Sequence, residues 1–189
     1  MGTRGCYGFR KNGIDKITYN HYDSYPRHLG ANIATFCKET SIDEMNKIFD
    51  KIILVHESGK PTEEQIAECC KYYGANDAGQ AVEDWYWLLR NTQGDLNVYK
   101  EDLQYMIDSS DFITGSLFCE YAYIINLDTN RLEYWVGFQR KPDKNNRYGA
   151  KNHNGYYPCR MKASYSLLPR YIKNRTVDGV VEDMNKKSK

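Results

Sequence analysis

Long apolar runs are missing from this 189-residue chain. None approaches the roughly 20 residues that a bilayer-spanning helix needs, which excludes a helical membrane protein. The first residues lack the apolar core of a secretory signal, so a cytoplasmic setting, that of a host cell, is expected. In that setting the six cysteines, Cys6, Cys37, Cys69, Cys70, Cys119 and Cys159, read as reduced and mostly buried thiols. A strong charge of one sign is missing too. The formal net charge is +1, which argues against a dedicated duplex-DNA binder. GxSxG, P-loop, GxGxxG and HExxH patterns are absent. Metal spacing is poor: His21-x-Asp23 offers two ligands and Cys69-Cys70 is not CxxC. No metal and no cofactor are expected.

What is present is a globular composition, with 41% hydrophobic and 27% charged residues. That balance excludes a disordered chain. One α+β domain over 1–189 is expected at this length. The near-neutral total hides a segregation. Residues 41–139 carry 7 basic against 18 acidic side chains, while the two flanks together carry 19 against 7. The steepest basic stretch is 140–162. It holds Arg140, Lys141, Lys144, Arg147, Lys151, Arg160 and Lys162 against Asp143 alone. Tyr148, Tyr156 and Tyr157 lie among these charges, a mixture that suits single-stranded bases or an acidic partner. A solvated loop, or basic ends folding against the acidic middle, are the plain alternatives.

The pattern predicts strands over 4–9 and 16–22 joined at Asn12-Gly13, a dipeptide that tolerates positive φ at both turn positions. A helix is expected over 26–37. Ser41-x-x-Glu44 and Thr62-x-x-Gln65 read as capping boxes opening two more helices, with a short strand over 53–56 between them. Gly74 is placed to end the second of these, before a loop over 75–80. Helices are expected over 81–91, with Trp85 inward, and after Asp95 with Leu96, Tyr99, Leu103 and Ile107 as a stripe. Residues 117–127 are apolar on both faces, as a central strand would be, and 132–138 alternate as its partner. Glu120 within that strand needs a partner. A loop over 140–157, a strand over 159–167 and a tail after Pro169 complete the chain. That tail holds a short helix and a frayed Lys186–Lys189 end. The order gives a mainly antiparallel sheet, built from the N-terminal hairpin (1–25) and the late strands (117–167). A helical block (26–112) covers it, and 170–189 form the tail. Gly5-x-x-Gly8 reads as close packing within a strand.

The densest polar cluster is Asn20-His21-Tyr22-Asp23-Ser24-Tyr25-Pro26, at the expected strand-to-helix junction. Such junctions are rigidly held yet exposed. If hairpin partners sum to 25, Arg4 sits opposite His21. Arg4, Asn20, His21, Asp23 and Ser24 would then line one pocket, with Tyr25 beside it and Arg147 and Arg160 completing it. Arg4 would pair with an anion, Asn20 and Ser24 would hydrogen-bond, and His21 and Asp23 would orient it. In a catalytic version His21 is a general base backed by Asp23. The plain alternative is that Asp23 or Ser24 caps a helix while Asn20 and His21 fix a turn.

The segments Thr3-Arg4-Gly5, Gly8-Phe9, Tyr19-Asn20-His21-Tyr22-Asp23-Ser24-Tyr25-Pro26 and Leu29-Gly30 resemble a loosely defined family. Its members are uncharacterised proteins of bacteriophages, mobile elements and some large DNA viruses. Cys119-Glu120-Tyr121-Ala122-Tyr123 is similar to the same family. The resemblance covers about the first 30 residues and that later hairpin, and it implies a mobile-element origin but no activity. Three functions are therefore expected, in order. The first is binding of a nucleotide or single-stranded nucleic acid at the junction. The second is counter-defence, by binding a host immunity protein in the manner of an anti-CRISPR. The third is His21/Asp23 hydrolysis.

Overall fold

The computed structural model describes residues 2–73, 82–168, 172 and 174–188. Gly74, the loop over 75–80, Ala81 and Pro169 lie outside them. A mixed sheet carries the site. Strands β1 (Gly5–Lys11) and β2 (Ile14–Asn20) form the hairpin. Asn12 and Gly13 adopt φ values of 53° and 74°, as a tight two-residue turn requires. Asp128 accepts from the amides of both, at 2.6 and 3.1 Å. The register runs Gly5↔Asn20 to Lys11↔Ile14, so every pair sums to 25 as expected. The later strands are β5 (Tyr121–Asn126), β6 (Arg131–Val136) and β7 (Arg160–Ser166), in the order β2-β1-β5-β6-β7. All pairings in this sheet are antiparallel except β1–β5, which is parallel. The expected α+β architecture holds.

Alternation along the strands builds two cores. Tyr7, Phe9, Tyr123, Ile125, Leu132, Tyr134 and Tyr165 face the helices. The main helices there are α1 (Ala31–Glu39), α2 (Ile42–Lys51) and α5 (Val177–Lys187). Lys186 and Lys187 belong to α5, so the tail is helical further than expected. Cys6, Ile17, Ala122, Ile124 and Trp135 face the other way. They are covered by a 3-10 turn (Ser110–Thr114) and by the segment after Phe138. Cys6, Cys119 and Cys159 are fully buried there, and burial pushes the Cys119 thiol up. A thiol held protonated in this way is a packing residue.

The helical block departs from expectation in three places. Residues 26–30 form a π-type turn ahead of α1. The helix expected over 81–91 is reduced to α4 (Trp85–Leu89) and a 3-10 turn (Arg90–Thr92). The stripe after Asp95 is not a helix. Asn97–Tyr99 make a 3-10 turn, and Tyr105–Ile107 form β4, parallel to β3 (Ile53–Val55). Leu96, Tyr99, Leu103 and Ile107 are all buried, so the apolar spacing reported burial correctly and conformation wrongly.

The helix starts follow their sequence. Thr62 and Gln65 form both halves of a capping box ahead of α3 (Glu63–Cys69). At Ser41 only the forward half forms, Glu44 donating its amide to Oγ at 3.1 Å. Lys16 on the hairpin donates to the carbonyls of Phe49 and Ile52 at the end of α2, at 2.8 and 2.6 Å. A cation there meets the negative end of the helix. Gly5 lets Ser24 lie over the strand: a Cβ at Gly5 would fall 2.7 Å from that of Ser24.

Glu120 lies just before β5, and its Oε1 accepts from the Arg4 amide at 3.2 Å. The deeply buried carboxylate is instead Glu133 on the second face. Arg147 pairs with it through both terminal nitrogens, at 2.8 and 2.5 Å. Asn126 and the Trp135 indole donate to it as well. Four donors on one carboxylate satisfy a charge that would otherwise be very costly to bury. Among the described residues no helix is long and apolar enough to cross a membrane.

Candidate functional site

The chain leaves β2 at Asn20 and bends sharply before the turn at Pro26. Asp23 takes a positive φ of 52° at the apex. Asn20 sets the bend from within. It is 6% exposed, and its Nδ2 donates to the Tyr22 carbonyl and, at 2.8 Å, to Ser24 Oγ. Ser24 is fully buried and its amide donates to Thr3. Neither Asp23 nor Ser24 caps the following turn by its side chain; Tyr25 occupies that position and packs its ring on His28. Asn20 and Ser24 therefore match the plain reading in part: Asn20 fixes the bend, and Ser24 is a structural partner.

A second segment is lashed to this bend. Tyr7, buried on the helix face, donates its hydroxyl to the Thr92 carbonyl at 3.3 Å and accepts from the Gly94 amide at 2.8 Å. Burial pushes the Tyr7 phenol far up, so it remains a neutral donor. Gln93 Oε1 accepts from the His21 amide at 3.0 Å. Gln93 thus meets the bend and lines two clefts beside it.

The first cleft, about 450 Å³, is lined by Asn20, His21, Tyr22, Tyr86, Arg90, Asn91 and Gln93. Tyr22 is 64% exposed and Tyr86 37%. Arg90 lies over the Trp87 ring, 3.9 Å from its centre. His21 Nδ1 shares a 2.8 Å hydrogen bond with the Tyr19 hydroxyl, which orients the ring. Nε2 has no partner among the described residues. The second cleft, also about 450 Å³, shares Asn20, Tyr22 and Gln93 but continues along Asp23, His28, Asn32, Thr35 and Asp95.

The expected single pocket divides. Arg4 lines a third cleft, of about 520 Å³, with Tyr19, His56, Glu57, Asp108, Phe112 and Phe118. Its guanidinium lies 5.0 Å from the Phe118 ring centre. The hairpin register ends at Gly5↔Asn20, one step short of the expected Arg4–His21 pair, and the two residues line different clefts. Burial pushes the Tyr19 phenol up, and the Arg4 charge opposes that shift. Asp23 and His21 line different clefts, and among the described residues the imidazole is held by the Tyr19 phenol and shares no hydrogen bond with the Asp23 carboxylate. Arg147 is held by Glu133 on the second face. Arg160 is 3.5 Å from Asp143 and donates to the carbonyls of Lys141 and Pro142. Neither arginine lines any of these three clefts.

Arg90 and Gln93 escaped the sequence reading, whereas Trp85-Tyr86-Trp87 reads as a candidate aromatic platform with Trp85 inward and Tyr86 or Trp87 partly outside, and Tyr86 is indeed exposed. Trp87 and Arg90 are three residues apart, a spacing that stacks side chains on a helical turn, and that signal was available. Gln93 carries no local signal, because its partner lies 72 positions away.

The sign of the lining separates the clefts. Among the described residues, the His21 side carries a guanidinium and an imidazole and no carboxylate; the Asp23 side carries two carboxylates, the His28 imidazole and no lysine or arginine. A unit charge pair about 6 Å apart interacts by roughly 0.7 kcal/mol in water and about 3 at an effective dielectric of 20. Two carboxylates therefore disfavour an anion on the Asp23 side by more than one amide hydrogen bond of about 1 kcal/mol would offset. Among the described residues no group of three or more His, Cys, Asp or Glu side chains could hold a metal ion. Comparison with family models, with curated proteins and with solved structures gives no match for this chain.

Proposed function

We propose that this chain binds a nucleotide, or a short single-stranded nucleic acid, in the cleft of His21 and Arg90. One observation carries the reading: two exposed tyrosine rings share a cleft with a guanidinium and an imidazole, with no carboxylate in the lining among the described residues. Tyrosine faces stack on bases of any sequence. Arg90 and His21 Nε2 meet phosphate oxygens, and the side-chain amide of Gln93 meets a base edge or sugar. Arg90 takes the role that the sequence assigned to Arg4.

Fluorescence anisotropy with a labelled oligodeoxythymidine, and calorimetry with ATP, test this. Saturable binding is expected for at least one probe, weakened about tenfold in Arg90→Ala and unchanged in Arg4→Ala. Affinity should fall as salt rises. Failure of both probes to bind would dispose of the proposal.

A second reading is a counter-defence role through an acidic protein partner. It is favoured by the surface beside β7, where Lys141, Lys144 and Lys151 are exposed next to Phe138 (51% exposed) and Met161 (46%). Cationic side chains rimming apolar ones suit a protein interface. A stable host-protein complex that survives Arg90→Ala but is lost on Lys141→Glu/Lys144→Glu would establish it in place of the first.

A further inference from the structure

The third cleft, of about 520 Å³, is walled by rings and holds a charge that no described residue answers. Tyr19 and Phe112 pack edge to face there, with centroids 5.0 Å apart and planes at 83°. Phe118 continues the wall and is 45% exposed, a large apolar surface left to solvent. The Arg4 guanidinium lies over the Phe118 ring, and among the described residues it takes part in no hydrogen bond and no ion pair. The root of that side chain is nonetheless fixed. The Arg4 amide donates to Glu120 Oε1 at 3.2 Å, and its carbonyl accepts from the Glu120 amide at 3.0 Å. Tyr19 is fixed as well, through its hydroxyl on His21 Nδ1. Glu57 and Asp108 lie in the same lining, and neither pairs with Arg4. Asp108 is turned by Ser110, which donates its amide to it at 3.0 Å and its hydroxyl besides.

From these features we propose that the Arg4–Phe118 cleft binds a free aromatic amino acid as its zwitterion. An unpaired guanidinium calls for a carboxylate, which it can hold through two parallel N–H bonds. Three rings call for an aromatic side chain, stacked on them or meeting them edge on. Glu57 and Asp108 repel a plain anion but favour an α-ammonium group beside the carboxylate. One small molecule that presents carboxylate, ammonium and ring meets all three demands, and the cleft has the volume usual for such ligands. The guanidinium and the rings choose the ligand; the two acids only refine it to the zwitterion. This site stands independently of the nucleotide reading, because neither His21 nor Arg90 lines it.

Calorimetric titration of L-phenylalanine and of L-tryptophan into the full chain tests it. Saturable one-site binding is expected for at least one of them. The N-acetylated counterpart of the one that binds lacks the ammonium group, and its decarboxylated amine lacks the carboxylate; each should bind about tenfold more weakly. L-leucine should also bind more weakly, for want of a ring. Arg4→Gln should weaken the amino acid about tenfold. Glutamine keeps the backbone contacts with Glu120, and a thermal melt checks that the variant folds. Should it not fold, NMR of the unaltered protein decides: the amino acid should then shift the Phe112 and Phe118 ring resonances and the Arg4 side chain. No binding of either amino acid, equal binding of the N-acetyl compound, of the amine or of L-leucine, undiminished binding in folded Arg4→Gln, or shifts confined to residues outside the cleft would each overturn the proposal.

Discussion

The two clefts beside Gln93 share Asn20, Tyr22 and Gln93 and have the same volume, yet their linings have opposite sign. On one side a 3-10 turn after α4 delivers Arg90 and the hairpin delivers His21. On the other the bend delivers Asp23 and the loop beyond Gly94 delivers Asp95. One glutamine side chain, hydrogen-bonded to one amide, lines both. The lesson is that the charge of each lining is set jointly, by one group from the junction and one from the 90–95 segment that meets it. Asn20, buried and hydrogen-bonded within the bend, is common to both.

The largest expected effect sharpens this comparison by removing the basic segment from it. Arg147→Ala leaves the Glu133 carboxylate buried without its charge partner and should cost about 3–5 kcal/mol in urea unfolding. Nucleotide binding should persist below the unfolding transition, since Arg147 does not line that cleft. Loss of nucleotide binding at full stability would restore Arg147 to the ligand site. Next comes the lash. Tyr7→Phe leaves the Gly94 amide and the Thr92 carbonyl without their partner and should cost about 1–2 kcal/mol. Because those residues flank Gln93, nucleotide binding should weaken as well; unchanged binding would break the view that this lash holds the cleft wall. Gln93→Ala removes the acceptor of the His21 amide and is expected to cost about 1 kcal/mol of stability and to weaken nucleotide binding.

The smallest effect concerns the hairpin that delivers His21. The amides of Asn12 and Gly13 hold the Asp128 carboxyl below the usual aspartate range. A group with a depressed folded pKa stabilises at pH above its unfolded value, about 3.9, and that stability is lost as pH falls through the folded value. Asp128→Asn should therefore lower stability slightly at neutrality and flatten the acid limb, the variant and the unaltered chain converging as pH falls below about 4. An unchanged acid limb would show that the turn does not need this carboxylate.

Much of the scaffold was legible from residues, and the reasons are local. Asn12-Gly13 admits a two-residue turn, which fixes the register of the whole hairpin. Residues 121–126 are apolar on both faces, and β5 is indeed central. The stripe from Leu96 to Ile107 misled because periodic burial is compatible with turns followed by a short strand, and Tyr105-Met106-Ile107 prefers the extended form. The site was half legible. His21 and Asn20 could be placed at the junction because a strand end is easily found. The separation of His21 and Asp23 into different clefts could not, because it depends on residues far along the chain. Arg147 was misjudged for a related reason: a run of basic residues reads as a surface until the one buried acid it serves is known.

The central claim is that charge sign distinguishes the two clefts of the junction and that an anionic ligand takes the one of His21 and Arg90. It is tested most directly by titrating one labelled oligodeoxythymidine into the unaltered chain, Arg90→Ala and Asp23→Asn/Asp95→Asn. The account predicts binding that drops about tenfold in the first variant and is unchanged or tighter in the second. Binding that survives Arg90→Ala and collapses in Asp23→Asn/Asp95→Asn would contradict it.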